Sequence, residues 1–454
     1  MTKGLLKSSQ KCERLYKKAI KLNKNDEAYK EYITYRNSLN KLRRLTKSNY
    51  YASLLEVSKN DIKNTWKIMK LAMNKNIEQT SAPTSLKLNN KIIDNHKEIA
   101  DVFCEFFTNV GPEYARKIPD PIKPYTSYLK QKNQYSIFLA PTDPEEISKI
   151  ISKLKAKNSS GHDQINSKLL KHIQHEIKDP LSIMINKSIS SGIFPDILKL
   201  AEVIPIHKSK DKQDIQNYRP ISLLPTISKI LEKVVHKRIY NFINKHNLLN
   251  KSQYGFRPRH STIDAITEYM AHLVDNLENR EHTLSIYLDL SKAFDTIDHS
   301  ILLNKLEYYG IRGISHNWLT SYLTHITQYV KINQSTSKTK PIICGVPQGS
   351  VLGPLLFILY SNDLSNASRN SNAIIFADDT SIFTHDSNID NLYSKINDDL
   401  LTLTDWFRAN KLSLNISKTN YMLFTHTATQ PATQPHLHTN HVRINNTDIY
   451  KKKH

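Results

Sequence analysis

Residues 372–383 read NAIIFADDTSIF and set two adjacent carboxylates, Asp378 and Asp379, between two apolar runs. β-forming residues on both sides of a short polar pair predict a tight β-hairpin with the acidic pair at its turn. Adjacent carboxylates raise the cost of ionising each other, and a hard divalent cation, above all Mg²⁺, relieves that cost. Because aspartate is also common in solvated turns, this stretch alone leaves a metal site and a plain turn both open.

The composition narrows the class of protein. The chain has 454 residues, 39% hydrophobic and 23% charged residues, and a net charge of +22, which predicts two or three globular domains with a polyanionic partner. No apolar run approaches the ~18 residues of a membrane span, and the N-terminus does not resemble a secretory signal. The cysteines Cys12, Cys104 and Cys344 have no metal-binding spacing. We therefore expect an intracellular protein that binds nucleic acid rather than membrane.

The first 80 residues are rich in Lys, Asn and Tyr, and their apolar residues recur at helical spacing. We predict a basic helical N-terminal extension over residues 1–80. Its residues Lys41, Arg43 and Arg44 are candidate nucleic-acid contacts, with a solvated helix face as the alternative. Residues 81–140 follow as a connector with a short apolar helix, which ends in a polar stretch from Gly111 onward.

A hairpin with a basic tip is predicted over residues 203–224. Its loop carries Lys208, Lys210 and Lys212, and Arg219 is expected at the base of the ribbon, where an unpaired charge would be costly. Further along, residues 253–262 (QYGFRPRHST) combine aromatic residues with Arg257 and Arg259, a combination typical of loops that hold nucleic-acid strands.

Another carboxylate, Asp289, follows an apolar strand at residues 284–288, and a glycine-rich turn at residues 344–357 leads into an apolar helix. A carboxylate fixed on a rigid strand can serve a site as a ligand. Together Asp289, Asp378 and Asp379 could hold two metal ions ~4 Å apart, the arrangement used for in-line displacement at phosphorus. With a triphosphate grip from Arg219 and the basic hairpin, the predicted reaction class is polynucleotide synthesis from nucleoside triphosphates.

At this point the sequence resembles the reverse transcriptases of non-LTR, LINE-like retrotransposons of the jockey and CR1 kind. Seven motifs occur in the family's order between about residue 140 and residue 424: GHDQI (161–165), NYRPISLL (217–224), YGFR (254–257), LDLSKAFD (288–295), GVPQGSVLGP (345–354), FADD (376–379) and NISKT (415–419). The segments YRN (35–37) and KSNYY (47–51) also resemble the region that precedes the polymerase in these elements.

The resemblance implies an α+β, right-hand polymerase fold with fingers and palm. It implies that Asp289 and Asp378 bind two Mg²⁺ ions, with Mn²⁺ as a substitute, and that Asp379 is the third acidic member. Lys208 and Arg219 would contact the triphosphate, Phe294 would exclude a ribose 2′-hydroxyl, and Gln348 and Gly349 would lie beside the incoming nucleotide. Lys418 matches a lysine proposed to protonate pyrophosphate, with an ordinary surface lysine as the alternative.

The predicted organisation follows the motifs. Residues 141–283 would form the fingers and the first part of the polymerase domain, residues 284–427 the palm, and residues 428–454 a low-complexity truncated tail. We expect a fragment without the family's endonuclease and thumb. Its partners would be an RNA template, a DNA primer or nicked target DNA, and dNTPs, in the nucleus or a cytoplasmic ribonucleoprotein. The alternative is an inactive truncated remnant that only binds nucleic acid.

Overall fold

The computed structural model describes residues 2–20, 26–59, 61–73, 83–88, 91–425, 441–444 and 447–451. Helices and mostly antiparallel sheets are combined in an α+β arrangement. The chain divides into two compact units, Met1–Ser81 and Ala82–His454. In the ranges just given, no helix is long and apolar enough to span a membrane.

The first unit contains three helices, α1 (Lys3–Ala19), α2 (Glu27–Val57) and α3 (Ile62–Ala72). Thr2 caps α1 and Asp61 caps α3, each through its side-chain oxygen. Leu5 and Leu39 are buried between α1 and α2. On α3, Ile68 is buried whereas Trp66 is 56% accessible.

The second unit begins with a short hairpin, β1 (Leu86–Leu88) and β2 (Lys91–Ile93), and a long helix, α4 (His96–Lys117). The prediction that a polar connector begins at Gly111 is wrong, because α4 continues through Pro112 for two more turns. Glycine followed by proline usually ends a helix. Here Gly111 is buried, and packing outweighs the local preference: an added Cβ would lie 2.3 Å from the Asp295 carbonyl oxygen.

Two sheets organise the rest of this unit. In the first, β3 (Leu200–His207) pairs antiparallel with β4 (Tyr218–Leu223) and parallel with β6 (Thr327–Ile332), whose other partners are β7 (Ser335–Thr336) and β8 (Lys340–Pro341). The predicted basic hairpin is therefore confirmed. Strands β6 to β8 lie within the residues predicted as palm, yet they pair with this hairpin. Such pairing between distant strands leaves no local signal in the sequence.

The second sheet has the order β14-β11-β5-β10-β9. Its strands are β5 (His282–Leu288), β9 (Asn372–Phe376), β10 (Asp379–Asp386), β11 (Asn420–Phe424) and β14 (Tyr450–Lys451). β5 lies in the centre, antiparallel to both β10 and β11. The ends of β5 and of the β9–β10 hairpin therefore meet at one edge, which positions their carboxylates.

Nine further helices surround these sheets in the described part of the second unit: α5 (Pro144–Ser152), α6 (Ser167–His172), α7 (Gln174–Ser191), α8 (Thr226–Lys245), α9 (Thr262–Glu278), α10 (His299–Tyr308), α11 (Ile314–Leu323), α12 (Leu352–Tyr360) and α13 (Ile389–Ala409). α12 is apolar on all sides and buried except at Pro354, as expected of a helix at the centre of a core. Trp318 and Trp406 lie in the same core.

The end of the chain differs from the predicted low-complexity tail. Its described residues include the hairpin of β12 (Arg443–Ile444) and β13 (Thr447–Asp448), and β14 adds to the second sheet. Val442, Ile444 and Ile449 are buried in the main core. These apolar residues explain why the segment packs, whereas the ATQP repeat of residues 428–435 lies outside the described residues.

Candidate active site

The acidic pair lies at the turn of the β9–β10 hairpin, as predicted. Phe376 and Asp379 are the last paired residues, so Ala377 and Asp378 form the two-residue loop, with a φ of 60° at Ala377. A positive φ at the first loop position suits the tight turns that match strand twist. Asp378 is half-buried and Asp379 is exposed.

The YGFR loop supports this turn. Gln253 accepts hydrogen bonds through Oε1 from the amides of Ala377 (3.1 Å) and Gly255 (2.8 Å). A Cβ on Gly255 would lie 2.2 Å from the Ala377 nitrogen, so only glycine fits there. The loop therefore fixes the backbone that carries Asp378.

Asp289 follows the last residue of β5, which pairs with Thr380 of β10. Its carbonyl accepts from the Asn415 amide (2.8 Å), and its amide donates to the Thr419 hydroxyl (3.3 Å). Lys418 then donates from Nζ to Asp289 Oδ2 at 3.2 Å. The NISKT turn thus closes over the end of β5 and places a cation on its carboxylate.

A cavity of about 590 Å³ unites most of the predicted site. Asp289 and Asp378 line it, and the predicted residues that share its wall are Lys208, Arg219, Phe294, Gln348 and Lys418. The Phe294 ring stacks on Phe357, with 4.6 Å between centroids, and meets Phe256 edge-on. The stacking on Phe357 of the core therefore holds one face of the Phe294 ring in place.

Charges around the cavity perturb one another. The pKa of Lys208 is lowered, first by Arg219 and then by partial burial and Lys418, although Asp289 and Asp378 oppose the shift. Burial, Arg219 and Lys208 likewise lower the pKa of Lys292. Each cation disfavours its neighbours' charge, so an anion that entered the cavity would relieve this repulsion.

Among the carboxylates, the pKa of Asp379 is shifted upward. Although its side chain reaches solvent, the pKa of Asp379 is raised by partial desolvation and by the charges of Asp378 and Asp289. Positive charge brought close to the three carboxylates would reverse the part of the shift that Asp378 and Asp289 cause.

The predicted metal site is only partly assembled. Across the residues that the structure describes, no group of three or more His, Cys, Asp or Glu side chains is arranged to hold a metal ion. Asp289 and Asp378 line the cavity, but Asp379, the first residue of β10, does not. Mg²⁺ is commonly bound by one or two carboxylates together with substrate phosphates, so the pair that remains fits such an ion.

Arg219 is placed differently from its prediction. It pairs with Ile206, one position from the loop end of the β3–β4 ribbon rather than at its base. It is exposed, because the alternation of β4 buries Tyr218 and Pro220 instead. Its guanidinium therefore faces the cavity as a free donor group, with no hydrogen bond to other described residues.

A comparison with known proteins identifies the family. The family described as reverse transcriptase (RNA-dependent DNA polymerase) matches residues 206–444, more than half of the chain. The chain belongs to the reverse transcriptase family.

The chain is similar to three Drosophila melanogaster proteins of mobile elements. It is 29% identical to the RNA-directed DNA polymerase from mobile element jockey over 64% of its own length and 32% of the relative. For the probable RNA-directed DNA polymerase from transposon BS, the identity is 28% over 76% of the chain and 39% of the relative. For the probable RNA-directed DNA polymerase from transposon X-element, the identity is 30% over 65% of the chain and 33% of the relative. The chain spans about a third of the length of these relatives.

Other predicted site residues lie outside the cavity. Gly349 packs against β4, where an added Cβ would lie 2.6 Å from the Ser222 carbonyl oxygen. Arg257 uses its guanidinium to hold its own loop, donating to the carbonyls of Asn250 (3.0 Å) and Gln253 (2.9 Å). Arg259 is exposed. A direct contact to nucleic acid is therefore open to Arg259, whereas Gly349 and Arg257 act on the backbone around the site.

The remaining basic candidates, Lys41, Arg43 and Arg44, are exposed on α2 of the first unit. Arg43 donates to the Ser9 hydroxyl of α1 at 2.7 Å. Because these side chains lie in solvent on one helix, they stay candidates for phosphate contacts.

Several cavity residues were not predicted from the sequence. One wall of the cavity is a face of α4, formed by Phe106, Val110, Glu113, Tyr114 and Lys117. These positions recur at helical spacing. The same helix also has a stripe of buried apolar residues, and the sequence pattern did not distinguish the two faces. Lys292 and Asp295 also line the cavity. Both belong to the LDLSKAFD motif, and this membership could have indicated that they lie at the site.

Proposed function

We propose that this chain carries the RNA-directed DNA polymerase of a non-LTR retrotransposon, transferring deoxynucleotides from dNTPs onto a primer annealed to RNA. The composition of one cavity carries the proposal: Asp289 and Asp378 line it together with Arg219, Lys208 and Lys418. Nucleotidyl transfer needs such a combination, since cations bind the polyphosphate and carboxylates hold a metal. The proposed partners are an RNA template, a DNA primer or nicked target DNA, and dNTPs.

The proposed architecture is the right hand of polymerases. The sheet of β3, β4 and β6 would belong to the fingers, and the sheet of β5, β9, β10 and β11 to the palm. The cavity would then receive the nucleotide between them, as its lining by both sheets supports. The proposed site of action is the nucleus or a cytoplasmic ribonucleoprotein.

Reverse transcriptases generally use divalent metals such as Mg²⁺. Asp289 and Asp378 would hold the ions, with Asp379 as the third acidic group, and two Mg²⁺ or Mn²⁺ ions would supply activation of the primer hydroxyl and neutralisation of the triphosphate. Such a pair of cations would also lower the pKa of Asp379, which is raised by partial burial and by the charges of Asp378 and Asp289.

The cationic side chains would act on the phosphates. Arg219 has a free guanidinium, which can bind phosphate oxygens with two parallel hydrogen bonds. Lys208, on the loop beside it, adds a second positive charge. Lys418 would protonate the departing pyrophosphate as a general acid, because it lines the cavity and its ammonium group donates to the Asp289 carboxylate.

Phe294 would select the sugar. Its ring lines the cavity and is backed by Phe357, so it cannot retreat without disturbing the core. A ribose 2′-hydroxyl would have to occupy the space of this ring, and deoxynucleotides would be preferred.

A primer-extension assay tests the proposal. The wild-type chain is expected to extend a DNA primer on RNA with dNTPs and Mg²⁺, and Asp378→Asn is expected to lower the rate by ~10²-fold or more, because a metal-holding charge is lost. Asp386→Asn is the matched control: this carboxylate lies at the other end of β10, paired with Lys395, and its loss should leave the rate within about threefold.

The outcomes separate the two candidate functions. Product that disappears in Asp378→Asn supports the polymerase. Tight binding of the RNA–DNA pair without any product supports an inactive remnant, and equal activity of Asp378→Asn and wild type would refute the proposed site.

A further inference from the structure

Asp295 follows Phe294 in the chain and lines the cavity with a carboxylate whose Oδ2 atom is buried. Its backbone is tightly held: the Cys344 thiol donates to its carbonyl oxygen, with 3.4 Å between the Sγ and oxygen atoms, and Gly111 and Gly345 pack against the same carbonyl. Substituting either glycine would bring a Cβ within 3 Å of it. The side chain of Asp295 therefore starts from a backbone position that cannot shift.

This carboxylate makes one hydrogen bond to a cavity residue. Gln348 donates from Nε2 to Asp295 Oδ1 at 2.8 Å, whereas Asp295 Oδ2 is buried with no hydrogen-bond partner in the described part of the chain. Because an ionised carboxylate can only accept, the amide nitrogen of Gln348 must be the end that faces it. Gln348 lines the cavity, and its Oε1 remains the atom available to a ligand.

We propose that Asp295 is a positioning residue that fixes the Gln348 amide and so sets the affinity of the cavity for a nucleotide. Gln348 would present Oε1 as an acceptor to a hydroxyl or amino group of the nucleotide. Without Asp295, the amide is free to turn over and present its nitrogen instead, and the hydrogen bond to the ligand is lost. This role rests on the proposed polymerase function, but it concerns nucleotide binding rather than the chemical step.

The charges around Asp295 keep it an acceptor near neutral pH. Burial raises the pKa of this carboxyl group to about 6, while the Gln348 hydrogen bond and the charges of Lys292 and Arg219 act against the shift. Lys292 lies in its own turn and Arg219 on β4, and the neighbouring Cys344 thiol has its pKa raised by burial and by Asp295 itself. Gly111 is the uncharged contact from α4. The carboxylate is therefore ionised at pH 8 and protonated at pH 5.

Steady-state kinetics of primer extension test the proposal with four variants: Asp295→Ala, Asp295→Asn, Gln348→Ala and the double variant Asp295→Ala/Gln348→Ala. Each alanine substitution alone is expected to raise KM for dNTP about tenfold, the effect of one lost hydrogen bond, with kcat within about threefold. The double variant should be no worse than Gln348→Ala, because Asp295 acts only through Gln348.

The pH profile gives an independent signature. Asparagine is neutral like the protonated carboxyl group, and like that group it can donate as well as accept. Asp295→Asn should therefore raise KM at pH 8 by about the same factor as protonation of Asp295 raises it in wild type. Wild-type KM should rise as the pH falls through about 6, and this rise should be absent in Asp295→Asn. A rise of equal size in both proteins would overturn the assignment.

A merely structural role has different consequences. If Asp295→Ala still raised KM tenfold in the Gln348→Ala background, the carboxylate would support the fold and the proposal would fail. Asp399→Ala is the matched control, since this buried carboxylate accepts hydrogen bonds from the amides of Arg369 and Asn370 and does not line the cavity. It should lower the melting temperature without changing KM.

Nucleotide binding can be measured without catalysis, as the rise in melting temperature caused by a dNTP with Mg²⁺. If the wild-type chain made no product but showed this rise, and Asp295→Ala and Gln348→Ala both lost it, the polymerase function would fail while the positioning role stood. Absence of the rise in wild type, or its persistence in both variants, would overturn the positioning role.

Discussion

Asp295 also makes the fold sensitive to pH. Its pKa is about 6 in the folded chain and ~3.9 when unfolded, so the folded state holds a proton that the unfolded state has lost between these values. Stability from this group is therefore complete below pH ~4 and decreases as the pH rises through about 6. The loss at pH 8 is on the order of 3 kcal/mol, from about two pKa units.

We therefore predict that Asp295→Asn is more stable than wild type at pH 8, by up to about 3 kcal/mol, and equal to it near pH 4. Urea denaturation at both pH values measures the difference. Asp386→Asn should change the stability at pH 8 in the opposite direction, because hydrogen bonds from Lys395 and the Asn388 amide lower the pKa of Asp386. That variant should be less stable than wild type at pH 8, with the difference vanishing at low pH.

Phe294 offers a second prediction at the scale of one residue. Phe294→Ala is expected to lower the preference for dNTPs over rNTPs by about 10- to 100-fold, because the ring that fills the 2′ position is removed. Competing extension reactions with matched dNTP and rNTP measure it. Phe256→Ala removes a ring that contacts Phe294 without lining the cavity, and the preference should stay unchanged.

The sequence could place individual carboxylates on a strand or a turn, but it could not show which face of the sheet each one occupies. The hairpin around Asp378 and Asp379 was predictable, because two apolar runs flank a polar pair. The sequence could not show that Asp378 lies in the loop and Asp379 begins β10, which depends on the register of one pair, Phe376 with Asp379. Arg219 illustrates the same limit, since one position along a strand decides which face it occupies.

A buried carboxylate, Glu232, accepts hydrogen bonds from backbone amides at the start of helix α12. Glu232 of α8 accepts from the amides of Val351 (2.6 Å) and Leu352 (3.1 Å), and from the hydroxyls of Ser228 and Tyr322. Burial raises the pKa of Glu232, and these donors act against the shift. The turn that carries Gln348 immediately precedes these amides, so Glu232 holds the end of that turn in place.

Glu232→Ala is accordingly predicted to lower the free energy of unfolding by about 2–4 kcal/mol, because two buried amides and two hydroxyls lose their acceptor. Chemical denaturation measures the loss. Ser228→Ala removes one donor and leaves the amides bonded, so it should cost only about 1 kcal/mol. Equal losses in the two variants would contradict the role given to Glu232.

Predictability at the scale of elements depended on whether the signal was local. The β3–β4 hairpin was predicted because its strands adjoin in the chain. The predicted end of α4 at Gly111 was too early, because the final turns of this helix are determined by packing against Asp295 rather than by local propensity. The place of β6 beside β3 could not be predicted, since parallel partners are separated by long connections.

Across the whole molecule, a net charge of +22 predicts binding to nucleic acid that weakens steeply with salt. If Lys41, Arg43 and Arg44 contact phosphates, replacing all three with Gln should reduce the slope of log K against log salt by up to about 3. Filter binding to an RNA–DNA pair at salt concentrations from about 50 to about 200 mM measures the slope.

A second variant controls for net charge alone. Lys149, Lys153 and Lys187 are exposed and lie outside the candidate cavity, so their replacement with Gln removes the same charge from another surface. A slope that falls equally in both triple variants would show that α2 has no special contact with the phosphates.

The parallel pairing of β3 with β6 has a consequence during synthesis. Val203 pairs with Val330, more than a hundred residues later in the chain, so the ribosome completes β3 long before its neighbour emerges. In that interval β3 has an open edge, of the kind that pairs with other chains. Nascent chains that stall before residue 327 are therefore expected to be captured by chaperones or to aggregate, and slow translation through residues 208–326 should lower the yield of folded protein.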